Sequence, residues 1–137
     1  TDGMYWEGEV PEMLERRARL FRLLAEQRVL VIFHGDEHNY SRTRVDERLV
    51  EGMERPVWQI VTGGAGAPYY AQERSVPWVD HVERFDPRQH FVRVRVGPES
   101  VQLEAVPLRG ALSSASAWYM GIVSADTVCA SCSQSLM

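Results

Sequence analysis

Between residues 11 and 27 apolar side chains recur at intervals of three and four. Met13, Leu14, Ala18, Leu20, Phe21, Leu24 and Ala25 share one stripe, with Glu12, Glu15, Arg16, Arg19 and Arg22 off it. This spacing predicts an amphipathic helix whose stripe docks on a sheet, with Pro11, Glu12 and Glu15 suited to its first turn. The pattern then changes period. Residues 29–33 (Val-Leu-Val-Ile-Phe) and 57–62 (Val-Trp-Gln-Ile-Val-Thr) are short apolar runs, as expected of strands covered on both faces. Residues 91–96 and 101–106 alternate with a period of two around Gly97-Pro98-Glu99-Ser100, which predicts an antiparallel hairpin. Residues 41–55 are charged without a steady period and read as a loop or broken helix, and 77–89 read as irregular. From 111 to 137 the chain is rich in small residues and reads as a tail beyond a domain spanning 1–110. The class is α/β: one helix, two buried strands and a C-terminal hairpin. A single helix covers only one face of those strands, so the other face is expected to need cover from outside the chain.

Composition narrows the function. With 137 residues, 45% of them hydrophobic, the chain makes one domain with a sizeable core. No apolar run approaches the roughly 20 residues that span a bilayer. The opening Thr-Asp-Gly-Met-Tyr-Trp has no basic and apolar regions of a secretory signal. A soluble protein without a membrane segment is expected, its compartment unassigned. The net charge is -4 and every basic residue is Arg. These arginines are scattered and form no stripe for nucleic-acid phosphates. Cys129 and Cys132 are spaced C-x-x-C, but there is no second pair for structural zinc, and Ser133 stands where haem attachment needs His. They are expected to carry no structural metal.

Candidate chemistry follows the first apolar run. His34-Gly35-Asp36-Glu37-His38-Asn39-Tyr40-Ser41-Arg42 is a polar cluster where a strand runs out, which is where α/β sheets place their sites. Asp36 and His38, one residue apart on a tight turn, can aim a carboxylate and an imidazole at one cation, a donor pair that suits zinc, iron or manganese. Two ligands do not complete a site. A mononuclear centre from His34, Asp36 and His38 is one way to extend it, although His34 reads better as a strand-end residue bonded locally. Gly63-Gly64-Ala65-Gly66 after the second run permits close backbone approach, yet it lacks the Lys-Ser/Thr of a phosphate loop. His81 and His90 read as structural, with His90 able to approach the site.

Taken in order, the helix, the strand, G-x-x-H-N-Y-x-R, the strand ending T-G-G-A-G-A-P-x-Y and H-F-V-R-V-R-V resemble the C-terminal half of calcineurin-like metallophosphoesterases, in particular the purple-acid-phosphatase-like branch. The likeness runs from about Arg16 to Val106. It implies part of a metallophosphoesterase-type β-sandwich flanked by helices. It also implies hydrolysis of phosphate esters at a centre of two metal ions (iron, zinc or manganese). In that family the strand ends in G-H-x-H, both histidines being ligands. Gly35, His38, Asn39, Tyr40 and Arg42 match, and Asp36 stands in place of the first histidine. The resemblance therefore makes His38 a metal ligand and Asp36 an altered one. Asn39, Tyr40, Arg42, Gly63, Gly64 and Tyr69 become supports or substrate contacts. None of the family's earlier D-x-H, G-D-x-x-D and G-N-H-E/D blocks precedes the 35–42 motif in this sequence. The remaining ligands are then expected in an N-terminal segment outside this chain, which by itself would be inactive. The alternative is a non-catalytic scaffold of the same kind that serves as a binding or interaction module.

Overall fold

A computed structural model describes residues 11–72, 74–75, 78–98, 100–108 and 118–124. Helix α1 spans Pro11–Glu26 and is followed by strands β1 (Val31–His34), β2 (Tyr40–Val45) and β3 (Val57–Thr62). A short 3-10 turn, Val79–His81, leads into β4 (Val82–Asp86), and then come β5 (His90–Val96), β6 (Ser100–Pro107) and β7 (Trp118–Ser124). The helix ends where Arg28 turns left-handed at φ 57. Arg28 N–H then donates to Ala25 O (3.0 Å) and Val29 N–H to Leu24 O (2.9 Å), the paired bonds of a Schellman cap. The apolar run 29–33 thus begins as a helix cap, and its strand starts two residues later than expected.

The first four strands form a mixed sheet in the order β1-β3-β2-β4. β1 runs parallel to β3, and β2 runs antiparallel to both β3 and β4. A second, antiparallel sheet has the order β5-β6-β7, and its β5–β6 hairpin pairs Val96 with Val101 and His90 with Pro107. Each sheet has an apolar inner layer because strand side chains alternate between faces. On one face of the four-stranded sheet, Val45 and Val57 pack against Phe21 and Ala25 of α1 and against Val50 and Met53 of the 46–56 connection. On the other face, Tyr40 and Ile60 pack against Leu103 and Ala105 of β6, with Val92 of β5 beside them. Val57 and Ile60 are fully buried, one on each face.

Four expectations change. Cover for the second face of β3 comes from within the chain, because the hairpin folds back as a separate sheet. β1 is an edge strand, and Phe33 stays 45% exposed on it, so it is not buried on both faces. Residues 40–45 form a central strand where a loop or broken helix was expected, and 82–86 form a strand within a stretch read as irregular. Finally, Trp118–Ser124 joins the second sheet as β7, so the segment read as a tail supplies a strand. The N-terminal ten residues, Cys129 and Cys132 lie outside the described residues. Among those described, no helix is long and apolar enough to cross a membrane.

Candidate functional site

β1 and β3 are parallel and adjacent, so both finish at one edge of the sheet. The chain must then cross the end of β3 to reach β2 on its far side, a span of about 10 Å for two strand spacings. Residues 35–39 make that bridge as a tight turn: Glu37 N–H donates to Gly35 O (2.9 Å), Asn39 N–H donates to Glu37 O (2.8 Å), and Asp36 is left-handed at φ 69. As β3 ends, the chain passes under the bridge. A Cβ at residue 63 would lie 2.1 Å from Glu37 O, and one at residue 64 would lie 2.9 Å from the His90 ring. Glycine at both positions is therefore a clearance requirement. Gly63 N–H donates to Asn39 O (3.2 Å) and ties the two loops together.

His38 sits on the bridge against the 63–70 loop. Its ring stacks on Tyr70 with centroids 4.1 Å apart, and its Nδ1 lies 2.9 Å from Pro68 O. A carbonyl oxygen only accepts, so Nδ1 carries the proton and the lone pair is on Nε2. Tyr70 N–H reaches back to His38 O (3.4 Å). Asp36 and His34 are exposed nearby in sequence, and Tyr69 is 60% exposed. Asn39 is only 5% exposed, and its Oδ1 accepts no hydrogen bond.

Below the bridge His90 joins the sheets. Nδ1 donates to Arg88 O (2.8 Å), which leaves Nε2 to accept the Thr62 hydroxyl (3.1 Å). The ring meets Tyr40 edge-on at 5.4 Å. Burial pushes the Tyr40 phenol above its ordinary pKa, with the Arg42 and Arg84 guanidinium groups pulling the other way.

The fold therefore gathers Asp36, His38, Asn39, Gly63, Gly64, Tyr69 and Tyr70 at one edge, with Tyr40 and His90 beneath. Arg42 is elsewhere, two residues into β2 opposite Ile60, where it pairs with Glu83 (3.3 Å). His81 lies at the other end of the sheet, just before β4 begins beside Thr43. Among the described residues no group of three or more His, Cys, Asp and Glu side chains could hold a metal ion. Sequence reasoning did not find the Pro68 carbonyl or the Thr62 hydroxyl. The carbonyl has no signature in residue type, whereas Thr62 stands directly before the glycines and is recognisable only once their clearance is known. No family model, curated protein or solved structure matches the chain.

Proposed function

We propose that this chain forms part of a metal-dependent phosphoesterase, with His38 as an imidazole ligand and Asp36 as a carboxylate donor on the same turn. The observation that carries this reading is the bond from His38 Nδ1 to Pro68 O. A ligating histidine characteristically donates its other ring N–H to a carbonyl or carboxylate, which fixes the tautomer and leaves a basic nitrogen for the cation. The likeness of the 35–42 and 62–70 segments to metallophosphoesterase motifs adds support. The donors fit zinc, iron or manganese, and the further ligands come from outside the described residues. Metal ions bound there would supply Lewis-acid polarisation of the phosphoester and of water. The chain's own residues have narrower tasks: Gly63 and Gly64 let the loops close, Tyr70 and Pro68 hold the His38 ring, and Tyr69 offers a face to the leaving group.

Zinc titration of the full chain, followed through the His38 ring resonances, tests this. Zinc is expected to perturb the Nε2 side of the ring, His38→Ala to abolish that, and Asp36→His to tighten binding. A ring untouched by zinc and manganese would overturn the assignment. No turnover of an aryl phosphate by the chain alone is expected. Metal-dependent turnover that disappears in His38→Ala would point instead to a self-contained mononuclear hydrolase. A metal-free scaffold is the second reading. It is favoured by Asp36, which replaces the motif's first histidine and sits exposed in a left-handed conformation.

A further inference from the structure

Away from the loop edge, β2 presents a second cluster on the face that carries Tyr40. Arg42 and Arg44 follow at two-residue intervals, and Trp58 of β3 stands directly across from Arg44. The Arg42 guanidinium lies 5.3 Å from the centroid of the Trp58 ring. Arg84 of β4 is directly across from Arg42, so guanidinium groups are carried side by side on adjacent strands. Arg42 and Arg44 are largely inside the structure, their side chains 19% and 29% exposed.

Their pairing is incomplete. Arg42 meets Glu83 through Nη2 alone, and its Nε–H is buried with no acceptor. Arg44 Nε is likewise buried without an acceptor. The nearest carboxylate, Asp46, is 3.8 Å away, beyond hydrogen-bond reach. Asp46 is already matched, since it takes three hydrogen bonds from Arg48. A buried charged donor left without an acceptor is costly. Waters would satisfy the two N–H groups only one at a time, and with neutral acceptors. An oxyanion does both. Side chains two apart on a strand are separated by about 7 Å, a gap that two hydrogen bonds of about 2.9 Å and the anion between them can bridge.

We propose that Arg42 and Arg44 form an oxyanion-binding site beside Trp58, taking a phosphate or carboxylate group between their Nε–H donors. The proposal is independent of the phosphoester reading, because these groups lie on the body of the sheet and need no metal.

The test uses the full chain with a chelator present, titrated separately with inorganic phosphate and with acetate, against chloride at matched ionic strength. Nε–H resonances of Arg42 and Arg44 and the thermal midpoint are followed. The expected result is saturable movement of both resonances and a rise in midpoint with one of the two anions. That response should be kept in His38→Ala and weakened about tenfold in Arg44→Gln, the equivalent of one charge-assisted hydrogen bond. A response to phosphate alone assigns a phosphate group, and one to acetate alone a carboxylate. Should Arg42→Gln fail to fold after losing Glu83, the wild-type resonances and Arg44→Gln still decide. Resonances that respond to neither anion beyond chloride, or a response undiminished in Arg44→Gln, would overturn the proposal. Loss of the response in His38→Ala would also overturn it, by moving the anion to the loop edge.

Discussion

The two ends of the four-stranded sheet are built on different physics. At the end where β1 and β3 begin, Phe21, Ala25, Val45, Val50, Met53 and Val57 close a layer made of apolar side chains. Where β1 and β3 finish, the chain is held by backbone and ring bonds: Gly63 to Asn39, His38 to Pro68, and His90 to Thr62 and Arg88. The first arrangement tolerates reshaping in proportion to the area lost. The second depends on close backbone approach, since a single methyl at residue 63 would lie 2.1 Å from Glu37 O. The lesson is that stability and candidate chemistry are segregated along the strands, so perturbing one end should leave a distinct signature at the other.

The largest effect is expected at the apolar end. Phe21 is 4% exposed and belongs to α1, and Phe21→Ala should cost about 3–5 kcal/mol, a large share of the stability of a domain this size. Chemical denaturation checks it. The His38 ring resonances should keep their native positions in whatever fraction stays folded. If those resonances moved as much as the helix signals, the segregation of the two ends would be wrong.

Gly63→Ala should come next, at about 1–3 kcal/mol for overpacking, and here the signature reverses. The bridge must carry Glu37 O away from residue 63, so the His38 and Tyr70 rings should shift while α1 stays put. Gly35→Ala is the control, because a Cβ there meets nothing within 4 Å and should cost under about 0.5 kcal/mol. Equal costs at 35 and 63 would remove the clearance argument.

Much of this contrast is legible in the sequence, and the gaps have physical causes. The helix, β3 and the hairpin are visible because their buried positions are apolar at the right period. β2 is invisible to that logic. Its alternating faces read Tyr40, Arg42, Arg44 and Ser41, Thr43, Val45, and the inner face is occupied by arginines that bury against Trp58 and Glu83. β4, whose Arg84 and Asp86 stand opposite Arg42 and Tyr40, hides in the same way. The segment 34–42 is recognisable as a site candidate from its polar residues after an apolar run. What holds it, a proline carbonyl and the space above a glycine, is set by the strand order β1-β3-β2 and has no mark in residue type.

The smallest expected effect probes whether charge matters at the apolar end. Asp46 follows β2 and starts the 46–56 connection that delivers Val50 and Met53 to the core. Its oxygens accept the Arg48 backbone N–H (3.0 Å), Nε (3.1 Å) and Nη2 (3.0 Å). These bonds, with the side-chain ones foremost, hold the carboxyl below its usual pKa against the opposing cost of burial. A depressed folded pKa means the stabilisation is complete above the unfolded value of about 3.9 and is lost as pH falls through the folded value. Asp46→Asn should therefore cost about 1 kcal/mol at neutral pH, modest because the Arg48 side chain is mostly in solvent, and the gap from wild type should narrow as pH falls below the unfolded value and close once the folded carboxyl is protonated. Denaturation midpoints of both proteins across that acid range measure it. A gap that persists at the lowest pH would mean the loss is one of packing, and no gap at neutral pH would mean the apolar layer holds that connection unaided.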